Sequence, residues 1–211
     1  MLQILLVSTL SGLATTVGGL VVIVFGRLKE KSLSFLLGFA GGVMLAISNF
    51  DLIPSAVRYG NFLLTVIGFS AGVVLMFLLD TLLPHLHLGK EEGQEKGFLK
   101  MGYFIAIGIA LHNIPEGMGM SVPLRMARVG ILRILLVTTL AGIFTPLGTL
   151  IGFALYSISK DFVSISLALA AGAMIYIVSD ELIPESHKHH SHFANLGIVL
   201  GFMVVLLQDY L

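Results

Sequence analysis

Apolar runs of roughly 20 residues, the length needed to cross about 30 Å of hydrocarbon as a helix, alternate along this chain with short polar connections. They cover approximately Leu2–Phe25, Ser34–Ile53, Phe62–Pro84, Met101–Val122, Ile134–Ile158, Phe162–Ile183 and Phe193–Leu211. The one long connection is the charged stretch His85–Lys100. This pattern predicts an all-α polytopic transmembrane bundle of about seven helices, forming one membrane domain over residues 1–211.

Composition agrees. Of 211 residues, 56% are hydrophobic and 11% charged, against about 25% charged in a soluble domain. The absence of Cys excludes disulfides and thiolate metal sites, leaving His, carboxylate, amide and carbonyl as ligands. Trp is absent too, so Tyr and Phe must supply any interfacial belt. A net charge of zero gives no reason to expect nucleic acid. The N-terminus lacks a basic region and its apolar run continues past Val24, which reads as a first membrane helix rather than a cleaved signal.

The first three runs resemble the last three. Thr9-Leu10-Ser11-Gly12 aligns without a gap on Thr139-Leu140-Ala141-Gly142, Thr15 on Thr145, Gly18 on Gly148, and Leu52-Ile53-Pro54 on Leu182-Ile183-Pro184. Ala40, Gly42, Met44 and Ile47 match Ala170, Gly172, Met174 and Ile177 at the same offset, which sets Asp51 opposite Glu181. One residue out of register, Gly68, Gly72 and Asp80 match Gly197, Gly201 and Asp209. The expected organisation is repeat 1 over about 2–84, a central helix over about 101–122, and repeat 2 over about 134–211. Repeats around a midplane site are a recurring transporter plan.

If all seven runs cross, four crossings separate the two repeat starts, so the repeats are expected to be parallel. Arg27, Lys29, Lys31, Lys90, Lys96, Lys100 and Lys160 then share one side, and Arg58, Arg125, Arg128, Arg133 and Lys188 the other. That bias favours N-terminus out and C-terminus in.

Acids populate the apolar runs and bases do not. Asp51, Asp80, Glu116, Asp180, Glu181 and Asp209 lie in or at the ends of predicted helices, and every Lys and Arg falls in or beside a loop. Acids at such depth are protonated, face water or meet a cation, which argues for a cation pathway. Asp51 and Glu181, each three residues before a Pro, are read either as lining that pathway or as solvated carboxylates where a helix ends. Asp180 points away from Glu181 and is read as interfacial. Asp80 and Asp209 are candidates for a cleft or for inter-repeat contacts. His85, His87, His187, His189, His190 and His192 fall in two loop clusters, where they either collect metal weakly or are simply solvated. The glycines, and the dense Met and Phe, read as packing.

The sharpest feature is His112-Asn113-Ile114-Pro115-Glu116-Gly117 inside the fourth run. An imidazole and a carboxylate four residues apart share a helix face, and the intervening proline frees the Leu111 carbonyl. Imidazole, amide and carboxylate together suit Zn²⁺, Fe²⁺ or Mn²⁺ better than the all-oxygen shells of Ca²⁺ and Mg²⁺. The bland alternative is a helix–helix hydrogen bond.

These residues resemble the intramembrane metal motif of the ZIP family of divalent metal transporters (Zrt/Irt-like proteins). Supporting matches are Gly41-Gly42-Val43-Met44 ahead of Asp51 and Pro54, Asp80 ahead of Pro84-His85-Leu86-His87, and Ser179-Asp180-Glu181-Leu182-Ile183-Pro184. The resemblance implies proton- or gradient-linked movement of zinc, or of iron or manganese, toward the cytoplasm, usually by homodimers, with the cell (inner or plasma) membrane as the expected location. It also implies that His112, Asn113 and Glu116 are ligands. The ion is cargo, and no resident cofactor is expected.

The family's core has eight helices in a three-two-three arrangement, and this chain reads as three-one-three, with one central metal-binding helix fewer. Water, Asp51 or Glu181 would then complete the site, or a second copy would contribute its own His112 helix, antiparallel if loop charges balance. A metal-binding membrane protein that does not transport, such as a sensor or assembly partner, is the alternative. An intramembrane hydrolase is disfavoured, because a single His at membrane depth falls short of three protein ligands.

Overall fold

In hydrocarbon a chain must satisfy its own backbone donors and acceptors, and a continuous apolar run does so as a helix. A computed structural model describes residues 2–24, 29–82, 113–188 and 190–208. Among these there are seven helices: α1 (Leu2–Val24), α2 (Glu30–Tyr59), α3 (Phe62–Leu82), α4 (Asn113–Met126), α5 (Ile131–Ile158), α6 (Lys160–His187) and α7 (Ser191–Gln208). The protein is an all-α polytopic bundle in which two three-helix repeats flank α4. Helix starts are locally encoded: the Asn61 Oδ1 accepts from the Leu64 N–H at 2.9 Å, and the Ser159 Oγ from the Asp161 N–H at 3.1 Å.

Pro54 and Pro184 do not end their helices. Each follows a π-helical turn, Ser48–Leu52 in α2 and Val178–Leu182 in α6, closed by Ile53 N–H to the Ser48 oxygen and Ile183 N–H to the Val178 oxygen. The wide turn accommodates the missing proline donor, so both helices run on past the acids Asp51 and Glu181.

Lipid tails are as apolar as leucine, so helices associate by close packing rather than by burying apolar surface from water. Here glycines bring backbones into contact, and the contacts recur in pairs. A Cβ on Gly12 would land on the Gly142 carbonyl oxygen, and one on Gly142 would land on that of Gly12. Gly42 faces the Ile198 carbonyl as Gly172 faces that of Phe69, and Gly201 faces that of Phe39 as Gly72 faces that of Leu169. Thus α1 packs on α5, while α2 packs on α7 and α6 on α3. Ser34 and Ser164, both fully buried and 130 positions apart, make a matching pair of ties: the Ser34 Oγ accepts from the His190 N–H, and the Ser164 hydroxyl donates to the Ala56 oxygen at 2.7 Å.

These pairings fix helix directions. Contacts of Gly38 with Ala194 and Gly42 with Ile198 make α2 and α7 parallel, and those of Gly68 with Ile165 and Gly72 with Leu169 do the same for α3 and α6. Along α1 and α5 the numbering runs oppositely: Gly12 meets Gly142, Thr16 Oγ1 lies 3.1 Å from Thr139 Oγ1, and Gly19 meets Thr138. The repeats are therefore inverted, not parallel. α1 begins and α7 ends at the same end of the bundle, which corrects the expectation of termini on opposite sides. Counting hydrophobic runs misled because α3 and α4 point the same way, and a count of runs assumes strict alternation.

Candidate metal centre

α4 is held backbone to backbone against α1. A Cβ at Gly18 would strike the Ile114 carbonyl oxygen, and one at Gly117 would strike that of Thr15. The seat on α1 comprises Thr15, Gly18, Gly19 and Val22, all buried. Farther along α4, a Cβ on Gly119 would lie 3.9 Å from the Ala40 Cβ of α2 and 3.8 Å from the Leu182 Cδ2 of α6. Glu116 is 2% exposed and sits level with the middle of α1, so its carboxylate lies deep among three helices. Asn113 is half-buried at the start of α4, and His112 lies outside the described residues. α4 closes with two bonds, Val129 N–H to the Leu124 oxygen and Arg128 N–H to the Arg125 oxygen, with Arg128 left-handed at φ 54°. That turn reverses the chain into α5.

Three carboxylates converge near the end of α3. Oxygens of Asp80, Asp180 and Glu181 all lie within 4.8 Å of one another, with Asp80 all but buried, Glu181 half-buried and Asp180 exposed. Asp180 thus does not point away from Glu181 as expected; both lie in the π turn of α6, where the rotation per residue is smaller than in an α-helix. Like charges 5 Å apart repel by about 3 kcal/mol at an effective dielectric near 20, so the cluster suits a cation. The Tyr176 hydroxyl is within electrostatic reach of all three. Leu182, next to Glu181, touches Gly119 one turn beyond Glu116, which connects the cluster to α4.

Asp51 occupies the corresponding π turn of α2, exposed and toward the opposite end of the bundle. Asp209, His85, His87 and His189 lie outside the described residues. Of the remaining loop histidines, His187 and His190 make structural contacts, and among the described residues the three do not share a site. His187 lies with Nδ1 2.9 Å from the Ile183 oxygen and Nε2 2.9 Å from Asn195 Oδ1. His190 Nε2 is 3.8 Å from Glu30, and His192 is exposed. Sequence reasoning missed Glu185, which is 5% exposed and ion-paired with Lys188. The i,i+3 acid–base spacing after Pro184 was the available signal.

The face of α5 equivalent to the α4 seat carries Thr145, Gly148, Thr149 and Gly152. None of the four is buried, and among the described residues a Cβ at Gly148 or Gly152 would meet nothing within 4 Å. One repeat therefore holds a central helix where its twin presents an open groove to the described structure.

An inverted pair of three-helix units around the helix that carries the buried Glu116, with acids toward both ends, defines a polytopic membrane protein. The family model for the ZIP zinc transporter matches residues 97–209. The chain is 31% identical to the zinc transporter ZupT of Corynebacterium glutamicum, over 94% of each protein, and 32% identical to ZIPB of Bordetella bronchiseptica, over 93% of this chain and 77% of that relative. It belongs to the ZIP family. The pairing with the C. glutamicum relative spans 250 positions but uses only 94% of 211 residues, about 198, so about fifty positions find no counterpart here. One membrane helix with its connection would fit within that number of positions, and among the described residues there is one central helix.

Proposed function

We propose that this chain is a multi-pass plasma-membrane transporter carrying zinc, or the related ions iron and manganese, into the cytoplasm. The observation that carries this reading is the placing of acids at three depths: Asp51 toward one end, Glu116 in the middle, and Asp80, Asp180 and Glu181 toward the other. His112, Asn113 and Glu116 hold the ion at mid-depth, and the three-carboxylate cluster receives it next. Flux distinguishes this from a metal-binding protein that does not transport. Purified protein in liposomes loaded with a zinc-sensitive dye should admit external zinc saturably, and stoichiometric binding with no flux would establish the sensor or assembly reading instead. The double variant Asp80→Asn/Glu181→Gln should slow uptake about tenfold while leaving metal binding at Glu116 measurable by calorimetry. Uptake at the wild-type rate would remove the cluster from the path.

Orientation follows from the helix directions. Among the described residues, Lys29, Lys31, Arg125, Arg128, Arg133 and Lys188 gather at one end, and only Arg58 and Lys160 at the other. The basic end is read as cytoplasmic and both termini as external. With that imbalance, the near-equal loop charges that favoured antiparallel subunits no longer apply, and a homodimer, if formed, is parallel. Cysteines introduced at Tyr59 and Lys160 in this cysteine-free chain should both react with an impermeant maleimide from outside intact cells, and one at Gly130 should not. Labelling of Tyr59→Cys and Lys160→Cys from opposite sides would overturn the inverted arrangement.

A further inference from the structure

At the basic end, the first turns of the parallel helices α2 and α7 lie side by side and leave a groove of about 370 Å³, lined by Lys31, Ser32, Phe35, Leu36, Phe193 and Leu196. Its mouth is cationic. The Lys31 ammonium lies 5.4 Å from the Phe193 ring centroid, and the His190 ring meets Phe193 edge-on at 6.1 Å. Both helices also begin here, so the positive ends of their dipoles lie at the groove. The nearby acid, Glu30, is engaged toward His190. Phe35, Leu36 and Leu196 lie about one turn deeper along the two helices and make the floor apolar. The equivalent position at the other end of the bundle places Asp161 where Lys31 stands, beside Phe162, Ile165 and Ile67. Lys160 stands where Glu30 does, so the fold repeats the groove's backbone setting with acid and base exchanged.

A cationic mouth at the membrane surface above an apolar floor fits a ligand with an anionic head and an aliphatic tail. We propose that the groove binds an anionic glycerophospholipid, with its phosphate at Lys31 and the α2 and α7 N-termini, and one acyl chain along Phe35, Leu36 and Leu196. The assignment to the cytoplasmic leaflet rests on the orientation proposed above; the binding itself does not. Anionic lipids are abundant in that leaflet, and one lysine near the surface shifts their binding about fivefold.

Because the chain contains no tryptophan, Leu196→Trp creates a single reporter in the groove. The full-length variant, in phosphatidylcholine vesicles, is titrated with dibrominated phosphatidylglycerol or dibrominated phosphatidylcholine, whose bromines quench tryptophan on contact. The brominated anionic lipid should quench well beyond its mole fraction and the zwitterionic one only in proportion. Lys31→Glu on the same background should lower the anionic preference about fivefold or more, and Ile67→Trp in the twin, where Asp161 replaces Lys31, should show no preference. Equal quenching by both lipids at Leu196→Trp overturns the proposal, as does an anionic preference that survives Lys31→Glu. Phe193→Trp replaces the reporter if Leu196→Trp does not fold. Zinc flux enters none of these readouts, so failure here is distinct from failure of the transport reading.

Discussion

Replacing Glu116 with alanine should reduce zinc uptake into proteoliposomes by at least about 100-fold, leaving a protein that still inserts and remains monodisperse. Its carboxylate is 2% exposed at mid-depth, where an ion gives up most of its hydration and needs charged protein oxygen in return. Loss of an outer partner of a metal ligand already costs 10–100-fold, so loss of the ligand itself should cost more. Glu116→Gln separates charge from shape. It retains the side-chain volume within the α1–α4 contact and removes the negative charge, so it should transport almost as poorly as alanine while matching the wild type in thermal stability. Undiminished uptake in both variants would refute the assignment of Glu116 as a ligand.

A second pair of substitutions should give opposite outcomes at positions the sequence presents as equivalent. In Gly18→Ala the new methyl would collide with the Ile114 carbonyl oxygen and lie 2.9 Å from the Met118 nitrogen and 3.0 Å from the Gly117 Cα. All three are α4 backbone, which cannot yield as a side-chain tip does. Overpacking of this kind costs about 1–3 kcal/mol or more, and it displaces the helix that carries Glu116. Both the melting temperature and the uptake rate should fall. In Gly148→Ala the methyl meets nothing within 4 Å among the described residues, and exchanging a helical glycine for alanine is worth up to about 1 kcal/mol in helix propensity. That variant should be neutral or slightly stabilised. Thermal denaturation followed by circular dichroism would decide. Equal destabilisation of the two would mean that the α5 face is occupied, and that the chain carries a second packed central element.

Much of the architecture was legible in the sequence because hydropathy and glycine spacing act locally. The apolar runs located the helices, and the matches of Gly12 with Gly142 and Gly42 with Gly172 marked the residues that carry helix–helix contact. The acids were identifiable by the cost of placing a carboxylate at that depth. Less legible was where those acids point. Asp180 and Glu181 are neighbours in sequence, and on a regular helix their side chains would diverge by about 100°. The π turn Val178–Leu182 narrows that divergence and directs both toward Asp80 of another helix. Only the position of Pro184 hinted at such a turn, and it suggested a helix end equally well.

The sequence by itself determined that this is a membrane bundle of two related halves around one metal-type segment, because each of those properties resides in residue type and short-range spacing. The tertiary structure alone decided that the halves are inverted, that α1 begins where α7 ends, that Asp80, Asp180 and Glu181 converge, and that Gly18 is sealed where Gly148 is open among the described residues. Each of these depends on contacts between residues about 100 or more positions apart, such as Gly12 with Gly142, Gly72 with Leu169 and Gly18 with Ile114. An apolar run has the same composition whether it points up or down, so only the packing of one helix on another could set the direction.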